Sequence, residues 1–572
     1  MYNKQQQTIL LTPRMYTQRT TKDSALLSIH TNNQIQTLSP AAKPLVFRQF
    51  GPAALSLLLC YLGIAFCMSG PTYFSHPTPL IPLWSFIHFP SNSVLTGILA
   101  LLFLLIFLIY ANTYFSVWRH RKQMQSRNAL FLLIGSTLLF GIPLVCQARV
   151  VSTNPFTDLF AGQLIAHYQS SPWTSPSAQY STNPYVQWIT ANPTNPDLIS
   201  PGWAAYTTLL AAISTTPLLS LLLLKGSMLA VHLMNSVLIW CIQGKLQTRH
   251  RLATTLLYAW NPLLLIESAG NGQSITLALS FLLLATWFTV LRTPPIDTNK
   301  QTDTQTQIYI ILIPITLGLA ASIQPLLFFV APFYLWHKLH TNTNSRFKLV
   351  GYTILWQTLL LILPIMLFTI PLWRTTQTYF QLVQAFTPMP IIGMPLMLIA
   401  APLQALYQHL APANLPTAIK PGASAELTAQ AASIVLFLTI YGSRLLSFQK
   451  SSDVTHEETN QSTASIKIML RNSAISLTAA NIFLPTTFQP WLIVSLLWAY
   501  LLWDRKPEQS NAPFIPVILL TGTTLYYYLT LNAPPLVVYQ TLFIFGLPLA
   551  SFLIINRKDR RERAIYNRDG RS

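Results

Sequence analysis

The chain has 572 residues, 51% hydrophobic and only 9% charged, with a positive mean hydropathy. A soluble domain carries about a quarter charged residues, so this composition excludes a water-soluble globule and points to a polytopic membrane protein. Lys and Arg outnumber Asp and Glu by 35 to 15, a formal net charge of +20. The basic residues lie in short clusters between apolar runs, which is the positive-inside pattern rather than the continuous basic face of a nucleic-acid binder.

Residues 1–45 are rich in Gln, Thr and Asn without apolar periodicity, and are expected to form a disordered basic cytoplasmic tail. The apolar run Pro52 to Met68 crosses outward. The loop Gly70 to Asn92 has no Lys or Arg and suits the outer side, and Ser93 to Phe115 returns to the basic cluster Arg119 to Lys122 and Arg127. Runs of 18 or more apolar residues cross a hydrocarbon layer of about 30 Å as helices, and neighbouring helices can satisfy the backbone groups that the 41 prolines free. Leu130 to Cys146 crosses out again, leaving a long external loop over 150–202 that is rich in Pro, Trp and Tyr. Trp203 to Ile213 is too short to span and is placed on or partly within the outer interface. Leu218 to Gln243 then crosses inward to Lys245, Arg249, His250 and Arg251. Leu252 to Glu267 crosses outward, an external polar turn occupies 267–274, and Ser274 to Val290 returns to Arg292.

Beyond Gln307 the apolar runs are Ile308 to Trp336 (two segments meeting near Gln324–Pro325), Leu349 to Trp373, Ile391 to Leu410, Ala431 to Leu446, Ile466 to Leu484, Trp491 to Trp503, Pro513 to Leu531 and Pro535 to Ile555, with a polar linker at Ser451 to Ser465. The basic tail 556–572 is expected on the cytoplasmic side. With both ends inside, the span count is even, about 12–14. The expected fold is therefore an all-α membrane bundle over 46–555, multi-pass in the plasma membrane. Cys60, Cys67, Cys146 and Cys241 sit inside apolar segments without CxxC spacing or a His cluster, so neither a disulfide frame nor a zinc site is expected.

The block Tyr258-Ala-Trp-Asn-Pro262, followed by Glu267 and Gly270-Asn-Gly272, resembles the signature of bacterial GT-C glycosyltransferases. Within that group it is most similar to the polyprenol-phosphate-mannose-dependent mannosyltransferases and their integral-membrane relatives. Ser152 to Gln163 with Tyr168 and Pro172 is similar to the family's first external loop. Ser200-Pro-Gly-Trp203, Gln324-Pro-Leu-Leu with Pro332, and Gln489-Pro-Trp491 resemble later elements in matching order. The resemblance implies a GT-C-like bundle that transfers a sugar, mannose or another hexose, from a polyprenyl-phosphate donor to an extracytoplasmic glycan or lipid acceptor. It implies no cofactor beyond a divalent metal left open, no nucleic-acid partner, and contact with membrane lipids. The charged family positions differ here: the loop aspartate falls on Asn154 and the arginine on Gln163. In the turn, His, Asn and Asp become Gln273, Ser274 and Ile275, and a later lysine falls on about Ser322.

Such a transfer needs a general base near the acceptor hydroxyl and donors for the leaving phosphate. Asn154 can hydrogen-bond a hydroxyl but cannot take its proton. Asp158, four residues on and one turn away if the segment is helical, is the positional substitute; an ordinary solvated loop aspartate is the alternative. Glu267 is a candidate because an ionisable group at a membrane helix end is costly unless solvated or paired; a carboxylate wetting a helix mouth is the alternative. Gln163, His167, Asn271, Gln273, Ser274, Trp203 and Trp491 are candidate substrate-binding residues, although interfacial belts collect Trp in any case. No metal-ligand set is read. Two other functions stay open: a catalytically silent GT-C paralogue that binds lipid-linked sugar or a partner enzyme, and a lipid or solute transporter, which charge buried at mid-depth would favour.

Overall fold

The computed structural model describes residues 42–68, 92–120, 127–147, 154–189, 199–246, 248, 250–292, 303–340, 347–373, 421–454, 461–485 and 515–530, with isolated positions between 406 and 554. Most of the expected N-terminal tail, the C-terminal tail, the run Trp491 to Trp503, and most of Ile391 to Leu410 and Pro535 to Ile555 lie outside these residues. Among the described residues every regular element is a helix or helical turn.

In chain order the helices are α1 Ala42–Met68, α2 Asn92–Arg119, α3 Arg127–Cys146, α4 Asn154–Ala166, α5 Pro201–Ile213, α6 Pro217–Lys245, α7 Arg251–Ala259 and α8 Pro262–Leu265. They continue with α9 Ile275–Arg292, α10 Asp303–Ile323, α11 Ala331–His340, α12 Phe347–Thr369, α13 Pro421–Val454, α14 Gln461–Phe483 and α15 Ile515–Thr530. Among the described residues seven stretches are long and apolar enough to cross a membrane: Phe50–Cys67, Val94–Arg119, Arg127–Cys146, Pro217–Lys245, Ile275–Arg292, Tyr352–Leu372 and Thr428–Phe448. Their outward faces explain how an apolar chain folds at all. On α12, Tyr352, Leu355, Leu359, Leu363 and Leu367 are all more than half exposed, at helical spacing, as is Ile370 in the 3-10 turn that follows. In water that stripe would be an aggregation site; against lipid tails it is matched.

The chain breaks where expected at Gln324–Pro325, a 3-10 turn over Pro325–Val330 separating α10 from α11. The linker expected at Ser451 to Ser465 is shorter, because α13 runs to Val454 and α14 starts at Gln461. The stretch read as a loop over 150–202 is largely structured, carrying α4 and 3-10 turns at Ser177–Tyr180 and Val186–Trp188. The larger difference concerns Leu252 to Glu267. It is not one spanning helix but α7 and α8 separated at Trp260–Asn261, followed by a π-helical turn over Ile266–Gly270. Every residue from Leu252 to Gln273 is buried. This segment is the centre of the bundle, packed between α2, α3 and α6, with α15 against α8.

The break is held from all sides. The Tyr258 hydroxyl accepts from Asn235 of α6 at 3.0 Å. Trp260 donates its indole N–H to Ser136 of α3 at 3.0 Å. Asn261 donates to Thr521 of α15 at 3.0 Å and caps α8 by accepting from the backbone of Leu263 and Leu264.

The distribution of basic residues sets a direct test of orientation. In a variant with all four cysteines replaced by serine, Ser181→Cys, on an exposed turn of the α4–α5 segment, should react with an impermeant thiol reagent added outside intact cells. A cysteine at the exposed Arg127 should react only after permeabilisation. The reverse pattern inverts the assignment.

Candidate functional site

The α4–α5 unit is a pair of parallel helices locked by a close approach. A Cβ on Gly162 would run into the Thr207 backbone, so only glycine allows this spacing. Asp158 sits half-buried on α4, and its Oδ2 accepts from the Trp203 indole N–H at 2.9 Å. Trp203 is itself buried, one ring face covered by Tyr206 at 5.0 Å between centroids. Its visible role is to fix the carboxylate, rather than to offer an open stacking face. Gln163 is also buried, and its Nε2 donates to the Tyr185 hydroxyl at 3.3 Å and to the Ser214 carbonyl at 3.2 Å. Tyr185 in turn donates to Ser220 Oγ at 2.8 Å, and burial holds its hydroxyl above the ordinary value, so it keeps the proton it donates. Gln163 thus ties α4 to the first turn of α6. His167 is exposed and lies with Nε2 3.2 Å from the Ala211 carbonyl, which makes Nε2 the donor there.

The second group is the turn after α8. Asn271 donates from Nδ2 to Glu267 Oε2 at 3.3 Å, and the Gln273 amide closes onto the Glu267 carbonyl at 2.9 Å. Gly272 has φ +65°, the left-handed region that glycine occupies without strain, and a Cβ there would come 2.9 Å from Leu224 Cγ of α6. Glu267 is only 1% exposed. The alternative of a carboxylate wetting a helix mouth therefore does not describe it. Among the described residues its Oε1 has no hydrogen-bond partner, nor has Gln273 Nε2. Ser274 is half-buried and its carbonyl accepts the first amides of α9. Ile275, which the resemblance aligns with a carboxylate, is fully buried in the apolar core. Ser322 is buried beside Gly202 at the start of α5. Asn154 begins α4, its side chain outside the described residues, as is Trp491.

The two groups lie at one end of the bundle because both rest at or beside the start of α6: Gln163 at the Ser214 carbonyl just before it, Tyr185 at Ser220, and the Gly272 turn at Leu224 and Lys225. Ser220 and Lys225 are about 7.5 Å apart along the helix. The Asp158 carboxylate is turned toward the start of α5, and Glu267 toward Asn271. Among the described residues no three His, Cys, Asp or Glu side chains gather at one point.

Sequence reasoning passed over the buried polar stripe of α6. Lys225, His232, Asn235 and Ser236 are all 0% exposed. His232 stacks on Tyr258 with Nε2 3.1 Å from the Ala259 carbonyl, while His232 Nδ1 and Asn235 Oδ1 have no partner. The signal was present: positions 225, 232 and 235–236 share one helical face, and ionisable groups inside a span are functional candidates by default.

Compared with known proteins, the chain matches no family model, no curated protein and no solved structure.

Two substitutions separate scaffold from chemistry. Gly272→Ala, strained by its positive φ and crowding Leu224, should cost about 1–3 kcal/mol and lower the thermal midpoint of the purified protein. Gln163→Leu leaves the Ser214 carbonyl and Tyr185 short of a partner and should cost about 1–3 kcal/mol. A Gln163→Leu protein of unchanged midpoint would free that amide for a ligand role.

Proposed function

We propose that this protein is a GT-C-like membrane glycosyltransferase, moving a hexose such as mannose from a polyprenyl-phosphate donor to an extracytoplasmic glycan or lipid acceptor. The observation that supports it is the Asp158 carboxylate, accessible on one side and oriented by the Trp203 indole, at the end of the bundle that also carries the Glu267–Gln273 turn. In this reading Asp158 takes the proton of the acceptor hydroxyl as its oxygen bonds to the anomeric carbon. The bond from that carbon to the phosphate oxygen breaks, and its electron pair leaves with the lipid phosphate. Trp203 is then a positioning residue: its indole N–H holds one carboxylate oxygen and so aims the other. A π-helical turn at the same end is consistent with a site, since such turns recur where function needs a local distortion.

The test is transfer from radiolabelled polyprenyl-phosphate-mannose to membrane lipids by the purified protein. Asp158→Asn should lower the rate by about two to four orders of magnitude, the usual contribution of a general base. Trp203→Phe, which keeps the ring and removes the N–H, should lower kcat more than it raises KM. Asn154→Ala should cost much less. Wild-type protein that binds the donor lipid but yields no product would remove this reading in favour of a catalytically silent paralogue.

One observation favours a transporter instead: His232 and Asn235 are fully buried at mid-span of α6, each with a polar atom lacking a partner. Lipid or solute movement in proteoliposomes that is lost in His232→Leu, with transfer absent, would establish that reading.

A further inference from the structure

Lys225 is the one lysine among the described residues that is wholly enclosed. Its ammonium can donate three hydrogen bonds and among the described residues makes one, to the Gln147 carbonyl at the end of α3, at 2.6 Å. Among the described residues no carboxylate pairs with it. Beside its stem lies the Gly272 turn, where a Cβ would come 3.6 Å from Lys225 Cγ. The next residue of that turn, Gln273, holds a buried side-chain N–H group with no acceptor. At the corner formed by the end of α3, the third turn of α6 and the turn before α9, donors thus outnumber the acceptors they meet, the Glu267 carboxylate of the same turn being bonded to Asn271 and not to Lys225. A buried cation with no counter-charge is destabilising until an anion joins it. The chemistry that answers both deficits is a tetrahedral oxyanion, which accepts several hydrogen bonds and carries the missing charge.

The corner also lies where a lipid head would be. The Gln147 carbonyl closes a helix long enough to span, and Lys225 sits about 12 Å below the start of α6, a helix about 43 Å long that overshoots a bilayer core at its ends. Centred on a core of about 30 Å, such a helix overshoots by about 7 Å at each end, so Lys225 lies about 5 Å inside the core edge, within the reach by which a long lysine side chain meets the head groups.

We propose that Lys225 and Gln273 bind the phosphate of a lipid phosphate, the Lys225 ammonium exchanging or sharing the Gln147 carbonyl for a phosphate oxygen and the Gln273 amide donating to a second. This rests on the transferase reading for the identity of the lipid, and it supplies a cation where the family's charged positions are neutral in this chain. The ligand contact belongs to a residue that the resemblance does not point to.

The full-length protein in nanodiscs is titrated with farnesyl phosphate, with farnesol and with inorganic phosphate, binding being read by native mass spectrometry and tryptophan fluorescence. Wild-type protein should bind farnesyl phosphate at least tenfold more tightly than farnesol. Lys225→Met should abolish that preference, Gln273→Leu should weaken it severalfold, and Lys225→Arg should keep it. A lysine that only caps the end of α3 would lower the thermal midpoint in Lys225→Met and leave the phosphate preference intact, which overturns the proposal. Absence of any preference in wild type overturns it as well. Inorganic phosphate binding as tightly as farnesyl phosphate overturns the lipid assignment. Should Lys225→Met fail to fold, the comparison of Gln273→Leu with wild type decides in the same terms. Lys225-dependent phosphate binding without sugar transfer removes the transferase reading and leaves the anion site standing; transfer with no dependence on Lys225 does the reverse.

Discussion

Everything at the centre of this bundle depends on how the helix break at Trp260–Asn261 is made tolerable. Away from water, each unsatisfied backbone group is costly, and irregular backbone survives only where protein satisfies it. Four successive carbonyls before the break have their partners. The Leu256 carbonyl keeps its partner in the Trp260 amide, Leu257 receives the Tyr110 hydroxyl at 2.8 Å, Tyr258 receives the Asn261 amide, and Ala259 lies within hydrogen bonding of His232 Nε2. On the far side, Pro262 has no N–H to satisfy, and the Asn261 side chain accepts from the next two amides. Tyr, Trp, Asn and Pro are each present because each removes a specific orphan or anchors the break to a different helix.

That solution has a consequence for the polar turn. Because the break redirects the chain, α8 and the π-helical turn lie inside the bundle rather than along its surface, and Glu267 is carried into a buried position instead of a wet one. The same geometry brings Gly272 against α6, so the turn and the buried stripe of that helix become one polar interior. His232 then has a structural duty, completing the Ala259 carbonyl, which weighs against reading the stripe as a transport path on burial alone.

The parts of this architecture that were legible in the sequence are those governed by one-dimensional signals. Apolar length marked candidate spans at Val94–Arg119 and Tyr352–Leu372, Pro325 marked a break, and the short apolar run before Pro217 is the short helix Pro201–Ile213. Burial was not legible. A lysine amid leucines at 221–224 reads as a snorkelling residue or a tolerated charge, and only the packing of Gly272 onto its stem shows that it is enclosed. Gln163 was read as a ligand group on its place in a resemblance, whereas its amide is already committed to Tyr185 and Ser214, partners 22 and 51 residues away that no local pattern announces. Asp158 was legible as a position, but its orientation by Trp203 spans 45 residues and required the close approach at Gly162.

The residues that carry the family resemblance most specifically are also the ones whose side chains are consumed by the break. Tyr258, Trp260 and Asn261 all make interhelical hydrogen bonds in the core, so selection for a stable bundle is enough to retain them. Their presence is accounted for by the packing of the bundle itself and is neutral on whether the chain catalyses transfer. The groups that bear on chemistry are of another kind: an oriented carboxylate at Asp158, and at Lys225, Glu267 and Gln273 a set of buried charges and polar atoms that the fold leaves incompletely matched. A bundle selected for stability alone gains by replacing such groups with apolar ones. Their concentration on one end of α6 is therefore the feature that a purely structural protein would have no reason to keep, and it is there, rather than in the Trp-Asn-Pro block, that the case for a ligand rests.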